Sequence, residues 1–160
     1  SHGSSGIELV DFDGNGQVDV LYTNGDSFDS FLLKPMHSVR WLENRGTFPY
    51  QDHELGAMPG AHRAVAGDLD GDGRLEVIAG AFIPQELLKL QRKDGAEALV
   101  IWKHSDEGKF YKHVLSQDHC NHASLAVADL NGDSRNDLII GNFRQSGGIP
   151  GEAITVWIAK

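Results

Sequence analysis

Short apolar runs alternate with acidic, glycine-rich ones along this chain, and the alternation repeats. Ile7-Glu8-Leu9-Val10, Ala64-Val65-Ala66-Gly67 and Leu125-Ala126-Val127-Ala128 each lead into an Asp-rich stretch. A second run follows each stretch, from Val18 to Gly25, Leu75 to Gly80 and Leu138 to Gly141. Runs this short, rich in β-branched residues and bounded by Asp, Asn and Gly, read as strands rather than helices. Farther on, each repeat carries a run with a tryptophan: Val39-Arg40-Trp41-Leu42, Leu99-Val100-Ile101-Trp102 and Ile154-Thr155-Val156-Trp157. After the first two comes a fourth run with aromatics, Thr47-Phe48-Pro49-Tyr50 and Lys109-Phe110-Tyr111-Lys112-His113-Val114-Leu115. Labelled A to D in order, A is predicted near 6–11, 63–68 and 123–129, and B near 18–24, 75–80 and 137–142. C is predicted near 38–44, 98–104 and 153–159, and D near 47–55 and 109–116. The third repeat reaches Lys160 without a D strand.

The stretches between A and B are three copies of one loop. Each sets oxygen-bearing side chains at loop positions 1, 3, 5 and 9: Asp11, Asp13, Asn15 and Asp19; Asp68, Asp70, Asp72 and Glu76; Asp129, Asn131, Asp133 and Asp137. A hard cation such as Ca²⁺ takes 6–8 oxygens at about 2.3–2.6 Å. A curled loop turns alternate side chains inward, and the position-7 carbonyls of Gln17, Arg74 and Arg135 offer a backbone oxygen as well. Glycine at positions 4 and 6 lets the chain curl through positive φ. An ordinary Asp/Gly turn would account for any one copy, whereas three copies in phase favour a metal loop. An EF-hand needs Glu at position 12, where this chain has Tyr22, Ala79 and Ile140, and it needs helical flanks.

The loops start 57 and then 61 residues apart, a period that marks a repeat architecture. A four-strand unit at that period is the blade of a β-propeller. The expected fold class is all-β: antiparallel blades at 1–56, 57–117 and 118–160, the last lacking its outermost strand, forming a partial propeller. The tryptophans occupy the same place in each repeat and are read as packing between blades. Pro84 to Lys93 reads as a short helix with Leu87, Leu88 and Leu90 on its apolar stripe.

These loops resemble the FG-GAP / VCBS repeat family, whose calcium-loop blades also build the integrin α-subunit propeller. The motif D-x-[DN]-G-[DN]-G-x-x-[DE] is matched throughout in the first two copies, and the third departs only at Ser134. The resemblance implies a calcium loop between strands A and B and up to three structural calcium ions. It implies ligand roles for the position 1, 3, 5 and 9 residues named above. It also implies an integrin-like binding or scaffold module that is extracellular, periplasmic or at the cell surface, with a protein or carbohydrate as ligand.

Composition fits that picture. The net charge is −9 from 23 acidic and 14 basic residues, and ten of the acids lie in the three loops. Nucleic acid is not an expected partner, because phosphate binding needs clustered Lys and Arg. No apolar run reaches the length of a membrane span. The lone cysteine, Cys120, excludes an internal disulfide and reads as a buried or semi-exposed free thiol between blades. Because the chain opens directly into a strand and stops within a repeat, it is expected to be a piece of a longer secreted protein. Otherwise it would self-associate, since so few blades cannot close a ring.

Strand order sorts the connections onto two ends. The acidic loops define one end, and the B–C and D–A connections define the other. At that other end a histidine precedes or opens each A strand: His2, His62 and His122. Converging imidazoles would make a ligand or transition-metal site, and histidines bonded to backbone or water would make a channel rim. Both readings stay open. So does an alternative function, an enzymatic or redox-associated propeller with its site at that end, because a propeller fold does not specify an activity.

Overall fold

The computed structural model describes residues 4–25, 27, 32–90, 95–105, 109–117, 119–143 and 152–160. Eleven strands and one helix follow in order: β1 Gly6–Val10, β2 Asp19–Thr23, β3 Ser38–Glu43, β4 Gln51–Ala57, β5 Ala61–Gly67, β6 Glu76–Ala81, α1 Gln85–Leu90, β7 Leu99–His104, β8 Phe110–Ser116, β9 His122–Ala128, β10 Asp137–Asn142 and β11 Ile154–Trp157. They form three antiparallel sheets in simple meander order, β1-β2-β3-β4, β5-β6-β7-β8 and β9-β10-β11. The fold is all-β and propeller-like apart from the helix, and the three sheets do not close into a ring.

The sheets stack in chain order. Leu21, Val39, Leu55 and Met58 of the first sheet share a core with Ala64, Ala66, Val77, Ala79, Val100 and Trp102 of the second. The opposite face of the second sheet, with Val65, Ile78, Leu99 and Ile101, packs on Leu125, Leu138 and Ile140 of the third. The middle sheet is therefore covered on both faces. This is why β6 is buried at every position and reads as an unbroken apolar run instead of an alternating one. Full burial of one such Ile or Val stabilises by roughly 1.5–3 kcal/mol, so most of the cohesion sits in these two seams.

The innermost strands approach at backbone distance. A Cβ on Gly6 would lie 2.7 Å from the His62 carbonyl oxygen, and one on Gly25 would collide with the Ala61 backbone. An ionic clasp closes the same contact. Arg63 donates to the Ile7 carbonyl and to Glu8 at 3.1 Å, and the other Glu8 oxygen accepts the Ala66 N–H.

Three expectations need correction. The first D strand starts at Gln51, not 47. Thr47-Phe48-Pro49-Tyr50 form the β3–β4 connection, with Phe48 89% exposed, and Pro49 has no N–H for a ladder. In the helix Leu87 enters the core and Leu88 packs against it, but Leu90, expected on the apolar stripe, is 78% exposed. Residues 91–93 of that expected helix lie outside the described residues. Finally, the tryptophans are not equivalent. Trp41 pairs with Leu21, whereas Trp102 pairs with Val77 and Trp157 with Leu138. Aligned by loop, Trp41 matches Ile101, so it faces the next sheet while Trp102 faces the previous one. A register step of one residue reverses the face. Packing between sheets holds for Trp41 and Trp102; Trp157 is 40% exposed.

Candidate metal centre

Each acidic stretch links the first and second strands of its sheet at the same end, and the three loops repeat a hydrogen-bond pattern. The position-1 carboxylate accepts the position-6 N–H at 2.9 Å in every copy: Gly16 to Asp11, Gly73 to Asp68 and Ser134 to Asp129. In the second and third copies its other oxygen takes the position-4 N–H, from Gly71 and Gly132, at 2.6 Å. The position-5 side chain caps position 7. Asn15 accepts from the Gln17 N–H at 2.7 Å, Asp72 from Arg74 at 2.8 Å and Asp133 from Arg135 at 3.0 Å. These bonds hold the curl, which needs positive φ at positions 4 and 6. Ser134 takes φ 71° where the other two loops have glycine.

Position 9 anchors each loop to its sheet. Asp19, Glu76 and Asp137 are buried, at 0%, 2% and 0% exposure. Each accepts the position-2 N–H, from Phe12, Leu69 and Leu130 respectively. Asp19 and Asp137 also accept an N–H from beyond their third strands, Asn44 at 2.7 Å and Ala159 at 2.9 Å.

The result is carboxylate crowding. Oxygens of Asp11, Asp13 and Asp19 lie within 4.8 Å of one another, and so do those of Asp68, Asp70 and Glu76. Burial, with Asp70 and Asp72 adding repulsion, pushes the Glu76 carboxyl above the usual range against the pull of the Leu69 N–H. Asp11 Oδ1 is buried with no hydrogen-bond partner. Leaving such an oxygen unsatisfied costs about 1–3 kcal/mol, and a cation would satisfy it. The all-oxygen donor set suits a hard divalent ion, so the residues of the first two loops fit the metal that the motif implies.

Basic side chains sit at the rims. Lys103 bonds Asp70 at 2.7 Å, Arg74 bonds Asp72 at 2.7 Å and Arg135 bonds Asp133 at 3.0 Å. The arginine beside each of Asp72 and Asp133 holds that carboxyl below its usual range. In the third loop Asn131 and Asp133 bond each other, as Asp13 and Asn15 do in the first.

Sequence reasoning missed Asn44, Lys103 and Asn136. Asn44 accepts from Asn15 and donates to the Val18 carbonyl, bracing the first loop from a neighbouring hairpin. Of the three, only Asn136 carried a signal, as a polar residue where the other loops have Val18 and Leu75.

At the opposite end the histidines are in different settings. The His62 ring lies 5.6 Å from that of Phe82. His122 is 6% exposed, with Nδ1 2.8 Å from Asn142 Oδ1. His2 lies outside the described residues. Cys120 is buried, as expected. No helix among the described residues is long and apolar enough to cross a membrane.

Comparison with known proteins agrees with the loops. A family model described as an FG-GAP-like repeat matches residues 11–79, and one described as an FG-GAP repeat matches residues 123–149. No curated protein matches the chain. The matched segments carry all three acidic loops, and the chain belongs to the FG-GAP repeat family.

Proposed function

We propose that this chain is a calcium-stabilised segment of a β-propeller that serves as a binding or scaffold module outside the cytoplasm. The carrying observation is the paired convergence of Asp11, Asp13 and Asp19 and of Asp68, Asp70 and Glu76 at one end of stacked sheets. Calcium there would be structural. It would neutralise mutually repelling carboxylates and fix the turn between the first two strands of each blade. The position-9 acids, buried at the foot of each strand, would tie the ion to the sheet. The first and third loops each hold three carboxylates and one Asn, and would bind more weakly than the second, which holds four carboxylates. Affinities in the extracellular range, about 10⁻⁴–10⁻³ M, suit loops this exposed. Calorimetric titration of the metal-free chain with calcium tests the reading. Heat of binding saturating at two or three ions supports it, and a flat titration at millimolar calcium overturns it.

The terminal sheets support assembly into something larger. Ile7 and Leu9 on the free face of the first sheet are 57% and 67% exposed, and Ile154 and Val156 on the third are 63% and 46% exposed. Their internal counterparts are buried against a neighbouring sheet. A further blade would cover them, from the same polypeptide or from a second copy. Ligands are then expected at the end opposite the acidic loops, where the connections vary in length.

A further inference from the structure

The second and third acidic loops are joined by two hydrogen bonds through one residue, one from its backbone and one to its side chain. Asn136, position 8 of the third loop, donates its N–H to the Asp68 carbonyl at 2.7 Å. Its Oδ1 accepts the Asp68 N–H at 3.0 Å. Asp68 is position 1 of the second loop, so both of its backbone polar groups are held by a residue lying between Arg135 and Asp137. The approach is close. A Cβ on Gly67 would sit 2.8 Å from Asn136 Oδ1, and one on Gly71 would sit 3.1 Å from Arg135 Cγ. The residue matching Asn136 in the second loop is Leu75, which has no polar side-chain atom. There a cavity of about 370 Å³, lined by Asp13, Gly14, Arg74, Leu75 and His104 among others, separates the first two loops.

We propose that cation binding at the second and third loops is positively coupled through Asn136, and that the first loop binds independently. The inference rests on the calcium reading above. A cation in the third loop orders the Arg135 carbonyl and the Asp137 carboxylate around it, and Asn136 lies between them. Fixing Asn136 fixes the peptide groups of Asp68, and with them the direction of the position-1 carboxylate. Ordering already done by one ion is not required again of the next, and by linkage the effect is reciprocal. Repulsion between the two ions opposes the coupling, but salt at 0.15 M screens charges beyond about 8 Å.

The test is a calcium titration of the intact chain at that ionic strength, followed through the amide resonances of Gly16, Gly71 and Gly132. Each of these donates to the position-1 carboxylate of its own loop. Asp133→Ala, at an exposed position of the third loop, should weaken the response of Gly71 by at least about fivefold and leave Gly16 unchanged. Asn136→Leu removes the side-chain bond and keeps the backbone one, so it should leave both loops binding and reduce that dependence at least severalfold. Should Asn136→Leu not fold, Asp72→Ala read at Gly132 gives the reciprocal measurement with Asn136 intact, and the same weakening is expected. A Gly71 midpoint that ignores Asp133→Ala overturns the coupling. A dependence undiminished in Asn136→Leu overturns the role of the Asn136 side chain. Failure of the calcium reading itself looks different, because none of the three resonances would then move in the unsubstituted chain.

Discussion

Trp41 and Trp102 enter the seam between the first two sheets from opposite sides. Trp41 leans on Phe12 at 5.1 Å and on His53 at 4.7 Å. Trp102 is fully buried, and its indole edge reaches the backbone of β4, where a Cβ on Gly56 would lie 2.8 Å from Nε1. The seam thus takes an indole from each sheet at non-equivalent positions, with Phe12 and Phe110 packed beside Trp41. Trp102→Ala should cost about 3–5 kcal/mol, as expected for a fully buried aromatic. Trp41→Ala should cost about 1–2 kcal/mol, since it is only partly buried. Urea denaturation midpoints at constant slope would check the order, and a larger loss at Trp41 would contradict this account of the seam.

Calcium should raise the melting temperature and chelation should lower it. At free calcium ten times the dissociation constant, each occupied loop contributes about 1.4 kcal/mol. Asp70→Ala should weaken the second loop far more than any change at position 6 alters the third. Identical melting curves in EDTA and in millimolar calcium would remove the stabilising role.

Lys103 competes with the ion. Its ammonium lies 2.7 Å from Asp70, and a unit positive charge about 4 Å from a divalent cation costs roughly 2 kcal/mol at the dielectric constant of water, before salt screening. Lys103→Gln should therefore tighten calcium at the second loop several-fold and leave the first loop unchanged. Calorimetry on the variant would show it; weaker binding would mean that Lys103 positions Asp70 instead of competing for it.

Ser134 occupies a left-handed conformation at φ 71°, which disfavours any residue with a Cβ. Ser134→Gly should raise stability by about 0.5–1 kcal/mol, the relief of strain being partly offset by the extra freedom of glycine in the unfolded chain. A thermal melt without calcium isolates this effect from binding, and a lower midpoint would argue against strain at this position.

Glu43 gives a pH signature. It accepts from Arg45 at 2.6 and 2.8 Å and is 2.7 Å from His53 Nε2. Arg45 first and His53 second hold its carboxyl below the usual range against the cost of burial. A depressed folded-state pKa adds stability that is present above the unfolded value, about 4.3, and is lost as pH falls through the folded one. The gap between the native chain and Glu43→Gln should be at most about 1 kcal/mol near neutrality, because Arg45 is exposed. It should shrink as pH drops below 4.3. A gap that stays constant from neutral to acid pH would rule out this ionic contribution.

The three loops, their phase and most strand positions were legible in the sequence because they depend on local chemistry. Gly at positions 4 and 6, Asp at position 1 and an acid at position 9 each answer to a hydrogen bond within nine residues, and alternation of strand and loop needs no partner to be seen. What tertiary structure alone decided lies between repeats. The face of Trp41 depended on a single step of register, invisible in a motif alignment. Phe48 and Leu90 looked like core residues by type, yet no neighbouring sheet reaches them. Lys103 and Asn44 brace loops 33 and 29 residues away, and no spacing rule links such pairs. The pairing of Asn136 with Asp68 crosses 68 residues and exists because the sheets stack with their loops side by side. Local chemistry set each loop, and the stacking of sheets set which loops touch.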